Sequence, residues 1–273
     1  MKLLSKIVRK AKNALRGDTK PAQKKKQKLK KLHPSIVTKY DLELYNRMKA
    51  IEAEFLMPHS FAKFKNYWLP ENLVKSSRNV LSFGVHRDVG FEQAMCDINP
   101  SLNIHCYDPT PDTVEMFKSE FPHKDKITYH NKAYANFQSG HENKKLKFYY
   151  DAERPQDCFS LLPVPSFKKL AHIEVDTVNL ETSLQDVDGE VDIIKADIEG
   201  VWFDFCREVL DMNLKFKAFA IEFEIKLIDN EKSMRQYRDI LSEFKSKGYQ
   251  LFLNRHRNKT LSEAIIIPKD QPL

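Results

Sequence analysis

Asn79 to Glu92 reads NVLSFGVHRDVGFE, and Ile104 to Thr113 reads IHCYDPTPDT. In the first stretch Val80, Leu81, Phe83 and Val85 make a short apolar run, interrupted at Gly84 and closed by the polar cluster His86-Arg87-Asp88. The second is an apolar run that ends in an acid, Asp108, 24 positions after Gly84. A strand, a glycine turn, a helix, a second strand and an acid compose the opening half of a nucleotide-binding βαβ unit. Glycine lets backbone approach a ligand closely. The acid is placed to accept hydrogen bonds from a ribose diol.

Outward from this unit the chain keeps alternating. Phe91 to Ile98 reads as a short helix, Asn103 to Tyr107 as the second strand and Ile127 to His130 as the third. Between the last two, Pro111 to Phe121 is a helix with proline in its first turn. Lys144 to Asp151 and residues 158–165 suggest an inserted hairpin or loop, followed by an extended piece over Glu174 to Val178. Asp192 to Asp197 is the fourth strand and Val201 to Met212 a helix. Ala218 to Phe223 is the fifth strand, and Glu231 to Lys247 is a long helix ended by Gly248. Tyr249 to Asn254 and Glu263 to Ile267 form a closing antiparallel pair. Such alternation predicts an α/β doubly wound sheet with helices on both faces.

At 273 residues, 41% hydrophobic and 30% charged, the chain is long enough for one sizeable domain plus an extension. No apolar run approaches the roughly 18 residues of a membrane span. Lysines break up the N-terminus too often for a secretory signal. Cys96, Cys106, Cys158 and Cys206 are widely spaced with no CxxC pair. Buried free thiols in a reducing cytoplasm are therefore expected rather than a zinc site.

The net charge of +7 hides an asymmetry. Residues 1–32 hold 13 Lys/Arg against one Asp, a balance of +12, and the remainder carries −5. In residues 1–16, Leu3, Leu4, Ile7, Val8, Ala11, Ala14 and Leu15 share one helical face while lysines and arginines take the other. A basic amphipathic helix of this kind lies on an anionic membrane surface or docks on its own domain. A lysine-rich linker follows, to which nucleic acid is an alternative partner, although no aromatics interleave it. Pro34 to Met57 reads as an amphipathic helix. Residues 58–78 read as irregular, with Phe61, Phe64, Tyr67 and Trp68 as packing anchors. The expected organisation is a basic helix and linker over 1–33, a helical cap over 34–78 and a main domain over 79–273.

The glycine turn is not a dinucleotide fingerprint. G-x-G-x-x-G needs glycines at 86 and 89, where His86 and Val89 stand. With no pyrophosphate cradle and no P-loop, a nucleoside gripped through its ribose fits better, and S-adenosylmethionine is such a ligand.

The chain resembles the FkbM-type family of S-adenosylmethionine-dependent methyltransferases. SFGVHRDVGFE is similar to its glycine turn, YDPTP to its acidic loop, IIKADIEGVWFDFCREVL to its K-x-D-x-E-G signature, and AIEFE to its fifth-strand acidic segment. His86 stands where a glycine is commoner in that family. The resemblance implies a class I methyltransferase fold, Rossmann-like with seven strands, and a hydroxyl acceptor on a sugar, glycan or small metabolite. An RNA methyltransferase or nucleic-acid-binding protein using the basic tail is the alternative.

Gly84, Asp108 and Pro109 are then the expected cofactor contacts. Asp88 and Glu92 can hold a cationic amino group or serve as first-turn helix residues. Asp197 and Glu199, at the end of the fourth strand, suit a base or a metal site, or an N-cap for the next helix. Glu199 is the first choice for base with Asp197 positioning, and His86 is the runner-up base. Glu222 and Glu224 can join them around a divalent cation. Trp202, Phe203, Tyr149 and Tyr150 are aromatic candidates for stacking at a cleft.

Overall fold

The computed structural model describes residues 46–50, 61–136, 145–155, 158–164, 167–225, 230–255 and 261–273. The expected helix over residues 1–16, the lysine-rich linker and most of Pro34 to Met57 lie outside them. Residues 46–50 are helical and bury Met48.

Residues 58–78 are not irregular where described. β1 (Ala62–Phe64) and β2 (Tyr67–Leu69) pair antiparallel, and α1 (Glu71–Lys75) follows. Lys65 closes the hairpin with φ of 56°, a backbone state rare for a lysine, and its sequence carries no Asn-Gly or Asp-Gly to announce the turn.

The βαβ unit is β3 (Asn79–Phe83), α2 (Gly90–Ile98) and β4 (Asn103–Tyr107). Helix α3 (Pro111–Lys118) leads to β5 (Ile127–His130), and β6 (Ala133–Tyr134) comes next. The insert is larger than a hairpin. β7 (Leu146–Asp151) pairs antiparallel with both β8 (Phe159–Ser160) and β9 (Leu170–Val175), making a three-stranded sheet. β10 (Thr177–Val178) pairs with β6. Helix α4 (Leu180–Gln185) had no period long enough to show in the sequence; Asn179 caps it by accepting from the Thr182 amide at 2.9 Å. β11 (Ile193–Ala196), α5 (Trp202–Asp211), β12 (Ala218–Glu224), α6 (Asn230–Ser246), β13 (Tyr249–Arg255) and β14 (Leu261–Pro268) complete the chain.

The central sheet has seven strands in the order β13-β14-β12-β11-β3-β4-β5, with only β14 antiparallel to its neighbours. Its middle strands serve two cores by simple alternation. Leu81 and Phe83 of β3, Ile194 and Ala196 of β11, and Phe219, Ile221 and Phe223 of β12 pack under α5 and α6. Val80, Ile193, Ala218 and Ala220 face the other way, against α2 and the β1–β2 hairpin. Being covered on both faces, these strands are apolar runs rather than alternating ones. Phe61, Phe64 and Tyr67 are buried in that second core, as their aromatic character suggested.

The strand order reverses between β3 and β11, so the crevice beyond their carboxyl ends is where an open α/β sheet binds ligands. Among the described residues no helix is long and apolar enough to cross a membrane. All four cysteines are free; Cys96, Cys106 and Cys206 are buried, whereas Cys158 is only half-buried.

Candidate active site

Sheet register brings the site together. Phe83 pairs with Tyr107 on one side and Ala196 on the other, and Ala196 pairs with Ile221. One residue further along each strand stand Gly84, Asp108, Asp197 and Glu222. All four line a cavity of about 330 Å³, together with His86, Pro109 and Glu199.

On the β3–β4 side, the Gly84 amide and both Asp108 oxygens are paired within the protein, whereas His86 Nε2 is not. Gly84 has φ of 74° and donates its amide to the Tyr107 carbonyl at 2.9 Å. A Cβ there would sit 1.8 Å from the Asp197 carbonyl oxygen. A close approach that demands glycine is thus made to the neighbouring strand's backbone.

Asp108, 5% exposed, accepts from the His86 amide on Oδ2 at 2.7 Å. Its Oδ1 accepts from the Thr110 amide at 2.8 Å and the Thr110 hydroxyl at 2.7 Å. It is therefore both a turn-forming aspartate and a cavity residue. Of the roughly four acceptor positions on a carboxylate, one remains open. His86 adopts φ of 49°, a left-handed state that favours glycine. Its carbonyl accepts from the Thr113 hydroxyl, and its Nε2 is buried without a partner.

Asp88 and Glu92 do not line the cavity. The half-exposed Asp88 pairs with Lys65 at 3.0 Å and accepts from the Gly90 amide at 2.9 Å, fixing the start of α2. Partial burial raises its proton affinity, but the Lys65 and Gly90 bonds outweigh this and hold the carboxyl below its ordinary range. Glu92, 1% exposed, accepts from Ser82 at 2.5 Å, and burial raises its proton affinity.

On the β11–β12 side carboxyl groups crowd together. Asp197 donates its amide to the Phe83 carbonyl at 3.0 Å, and its side chain lies 3.6 Å from Lys195 Nζ. Lys195, buried within β11, spends its ammonium on the Phe83 and Gly84 carbonyls and thereby braces the glycine turn. The sequence signalled this residue as the lysine of K-x-D-x-E-G, a charge inside an apolar strand, without disclosing its role.

Glu199 Oε2 is buried and has no donor. Its neighbour is the Glu224 carboxyl, which satisfies it only by carrying a proton. Burial, then the charge of Asp197, raises the proton affinity of Glu199. Glu222 is pushed up to about 9 by burial and by Asp197, Glu263 and Glu199. Glu224 is raised well above the carboxylate range by burial and by Glu199. Glu222 faces Glu263 directly across the β12–β14 ladder, an unfavourable pairing of like groups. Tyr67 adds a buried hydroxyl without a hydrogen-bond partner, lying against Asp197.

The third wall comes from the insert. Phe148 of β7, Phe159 of β8 and Cys158 line the cavity, with Tyr107 and Tyr134 from the main sheet side. The sequence points to aromatics in this insert, but of its candidates Tyr149 lies on the opposite face of β7 from Phe148, and Tyr150, on the same face, stacks on Phe159 at 5.0 Å without lining the cavity. Trp202 is instead core, 5.2 Å from Phe223, and Phe203 packs beside it. Ser160 fastens the insert to the signature by donating to the Glu199 carbonyl at 2.8 Å. Among the described residues no three His, Cys, Asp or Glu side chains are grouped to hold a metal ion, so Glu222 and Glu224 do not complete one with Asp197 and Glu199.

A nucleoside bearing a positive charge suits these walls: one open acceptor on Asp108 for a ribose hydroxyl, carboxyls opposite for the cation. Compared with known proteins, residues 53–251 match the family model for the methyltransferase FkbM domain, a span that begins ahead of residue 79. Comparison with curated proteins returned no match. Similar solved structures include a Methanococcus jannaschii fibrillarin pre-rRNA processing protein, with 10% identity and TM-score 0.40. That alignment covers 72% of this chain and 68% of the other. Another is the O-methyltransferase TomG from Streptomyces achromogenes, involved in tomaymycin synthesis and solved with S-adenosylmethionine. It shows 7% identity, coverage of 86% and 82%, and TM-score 0.41.

Proposed function

The chain belongs to the FkbM methyltransferase family, and on that premise we propose that it transfers a methyl group from S-adenosylmethionine to a hydroxyl of a sugar, glycan or small metabolite. The observation that carries this reading is the meeting of Asp108 and Glu199 in one cavity at the strand-order reversal. When bound, S-adenosylmethionine supplies a methyl group on positively charged sulfur, whose bonding pair stays on sulfur as the acceptor oxygen forms the new O–C bond.

Asp108 offers its remaining acceptor position to a ribose hydroxyl, and Pro109 and the Gly84 turn bound the same end. Glu199 takes the acceptor's proton. Its raised proton affinity is the direction a general base working near neutral pH requires. Asp197 positions the reacting groups, since methyl displacement depends mainly on alignment. His86, with its unpartnered Nε2 at the cavity, is the second choice of base.

Incubating the full-length chain with a tritiated methyl donor and a fractionated cell extract tests the reading. Label is expected in a hydroxyl-bearing carbohydrate or small-molecule fraction. Label confined to RNA would shift the assignment to a nucleic-acid substrate reached through the basic tail, and no incorporation in any fraction would overturn both. We further propose that residues 1–16 hold the enzyme reversibly on an anionic membrane surface, at about 1 kcal/mol per basic residue before screening.

A further inference from the structure

The orphan acceptor on Glu199 and the crowding around it carry a consequence for how the site treats charge. Four carboxyls, Asp197, Glu199, Glu222 and Glu224, reach the end of β11 and β12, with Glu263 of β14 behind Glu222. The groups facing them come from β11, β2, the insert and the far side of the cavity. From β11, Lys195 donates to two backbone carbonyls and also lies 3.6 Å from the Asp197 carboxyl. From β2, Tyr67 presents a hydroxyl that is buried and unpartnered. From the insert, Cys158 lies beside Glu199. Across the cavity, the Asp108 carboxylate is negative and His86 turns a buried, unpartnered nitrogen.

Two carboxylates in contact cannot both be ionised cheaply. Glu199 Oε2 is buried without a hydrogen-bond partner, and the groups beside Glu199 are the Glu224 carboxyl and the Cys158 thiol. A proton shared inside the wall relieves both problems, and so does a cation entering the cavity.

We propose that Asp197, Glu199, Glu222 and Glu224 form a charge-sensing wall, which gives up a proton when a positively charged ligand enters and keeps it when the ligand is neutral. The inference rests on the donor-binding reading above. Its ligand classes are a sulfonium nucleoside and the neutral thioether left after transfer. The step balances. The wall loses a proton to solvent as the sulfonium enters. It regains one from the acceptor hydroxyl as the methyl leaves, so the thioether ends against a protonated wall with no electrostatic hold. The wall thus favours donor over product through the charge on sulfur.

The sign follows from linkage. A carboxyl that is protonated in the free site and ionised in the complex makes binding tighter as pH rises, up to the free-site proton affinity, about 9 for Glu222. S-adenosylmethionine affinity should therefore rise with pH from neutrality, by up to about tenfold per unit, the limit for one released proton. S-adenosylhomocysteine affinity should change far less, and the amino-acid portion common to both ligands cancels in the comparison.

Titration calorimetry of the full chain in phosphate and in Tris, buffers of different ionisation enthalpy, reads the released protons. The probes are S-adenosylmethionine, S-adenosylhomocysteine and sinefungin, which carries an ammonium in place of the sulfonium. Proton release is expected for the two cationic probes and not for the thioether, and Glu222→Gln should diminish it. Equal proton exchange for S-adenosylmethionine and S-adenosylhomocysteine, with both binding, would overturn the charge-sensing wall alone. Absence of binding by all three probes would overturn it together with the donor reading. The wild-type comparison decides the matter even if the variant does not fold.

Discussion

On the β3–β4 side of the cavity, the Asp108 carboxylate already accepts three hydrogen bonds and the Gly84 turn is locked by the Tyr107 carbonyl and Lys195. On the β11–β12 side, Glu199 has a buried oxygen with no donor and Glu222 sits opposite Glu263. Apart from the unpartnered Nε2 of His86, the first wall has its polar contacts made before any ligand arrives, so it can hold a fixed shape at little reorganisation cost. The second keeps groups that only a proton or a cation can satisfy. Binding of the common nucleoside portion belongs to the first, and response to charge and proton movement belongs to the second.

The largest effect that would break this division is on turnover. Glu199→Gln should reduce methyl transfer by about 10²–10⁴-fold, the usual contribution of a positioned base. It should still bind S-adenosylhomocysteine, as titration calorimetry can read. Loss of thioether binding in this variant would mean the two walls are not separable.

Gly84→Ala attacks the seam between the walls. The added methyl group meets the Asp197 carbonyl and the residue must hold φ of 74°. Denaturant unfolding should show a loss of about 3–5 kcal/mol, the exceptional end of single substitutions. No loss, or a gain of about 0.4–1 kcal/mol as glycine-to-alanine gives at a compatible backbone, would show that the strands are free to part there.

Glu222→Gln acts through pH. Folding carries the wild-type carboxyl from its ordinary value to about 9, so the folded state holds a proton that the unfolded chain has lost above about pH 4.5. Wild-type stability should accordingly fall as pH rises from about 5 to 9, and the variant should recover about 1–3 kcal/mol at the alkaline end. Melting curves at both pH values check this. The smallest effect concerns His86→Gly, which relieves a left-handed backbone and removes a buried orphan nitrogen; a gain of about 0.5–1 kcal/mol is expected.

The two walls also differed in how far the sequence disclosed them. Strand-glycine-helix-strand-acid is a local pattern, so Gly84 and Asp108 could be singled out along with the strands that carry them. Asp197 and Glu199 were legible for the same reason, standing where an apolar strand ends. What no local pattern carries is who meets whom. Asp88 sits only four residues after Gly84, yet its carboxyl turns outward to Lys65 of the hairpin. Glu92 points into the protein toward Ser82 because it lies in the first turn of α2 on the buried face. The β1–β2 hairpin escaped notice because its turn is Lys-Asn rather than a glycine turn, and with it went Tyr67, whose hydroxyl reaches the acidic wall. Which of the insert's aromatics lines the cavity is not legible, since a six-residue strand with three aromatics in a row shows no clear alternation.

The most direct test of the central claim is a pair of titrations, S-adenosylmethionine and S-adenosylhomocysteine, against wild type and Asp108→Ala. Both ligands carry the ribose, so loss of the Asp108 acceptor should weaken both to a similar degree, by about 1.5–3 kcal/mol, the range for a hydrogen bond to a charged group. Unchanged affinity for either ligand in the variant, or no binding of S-adenosylmethionine to wild type, would contradict the account.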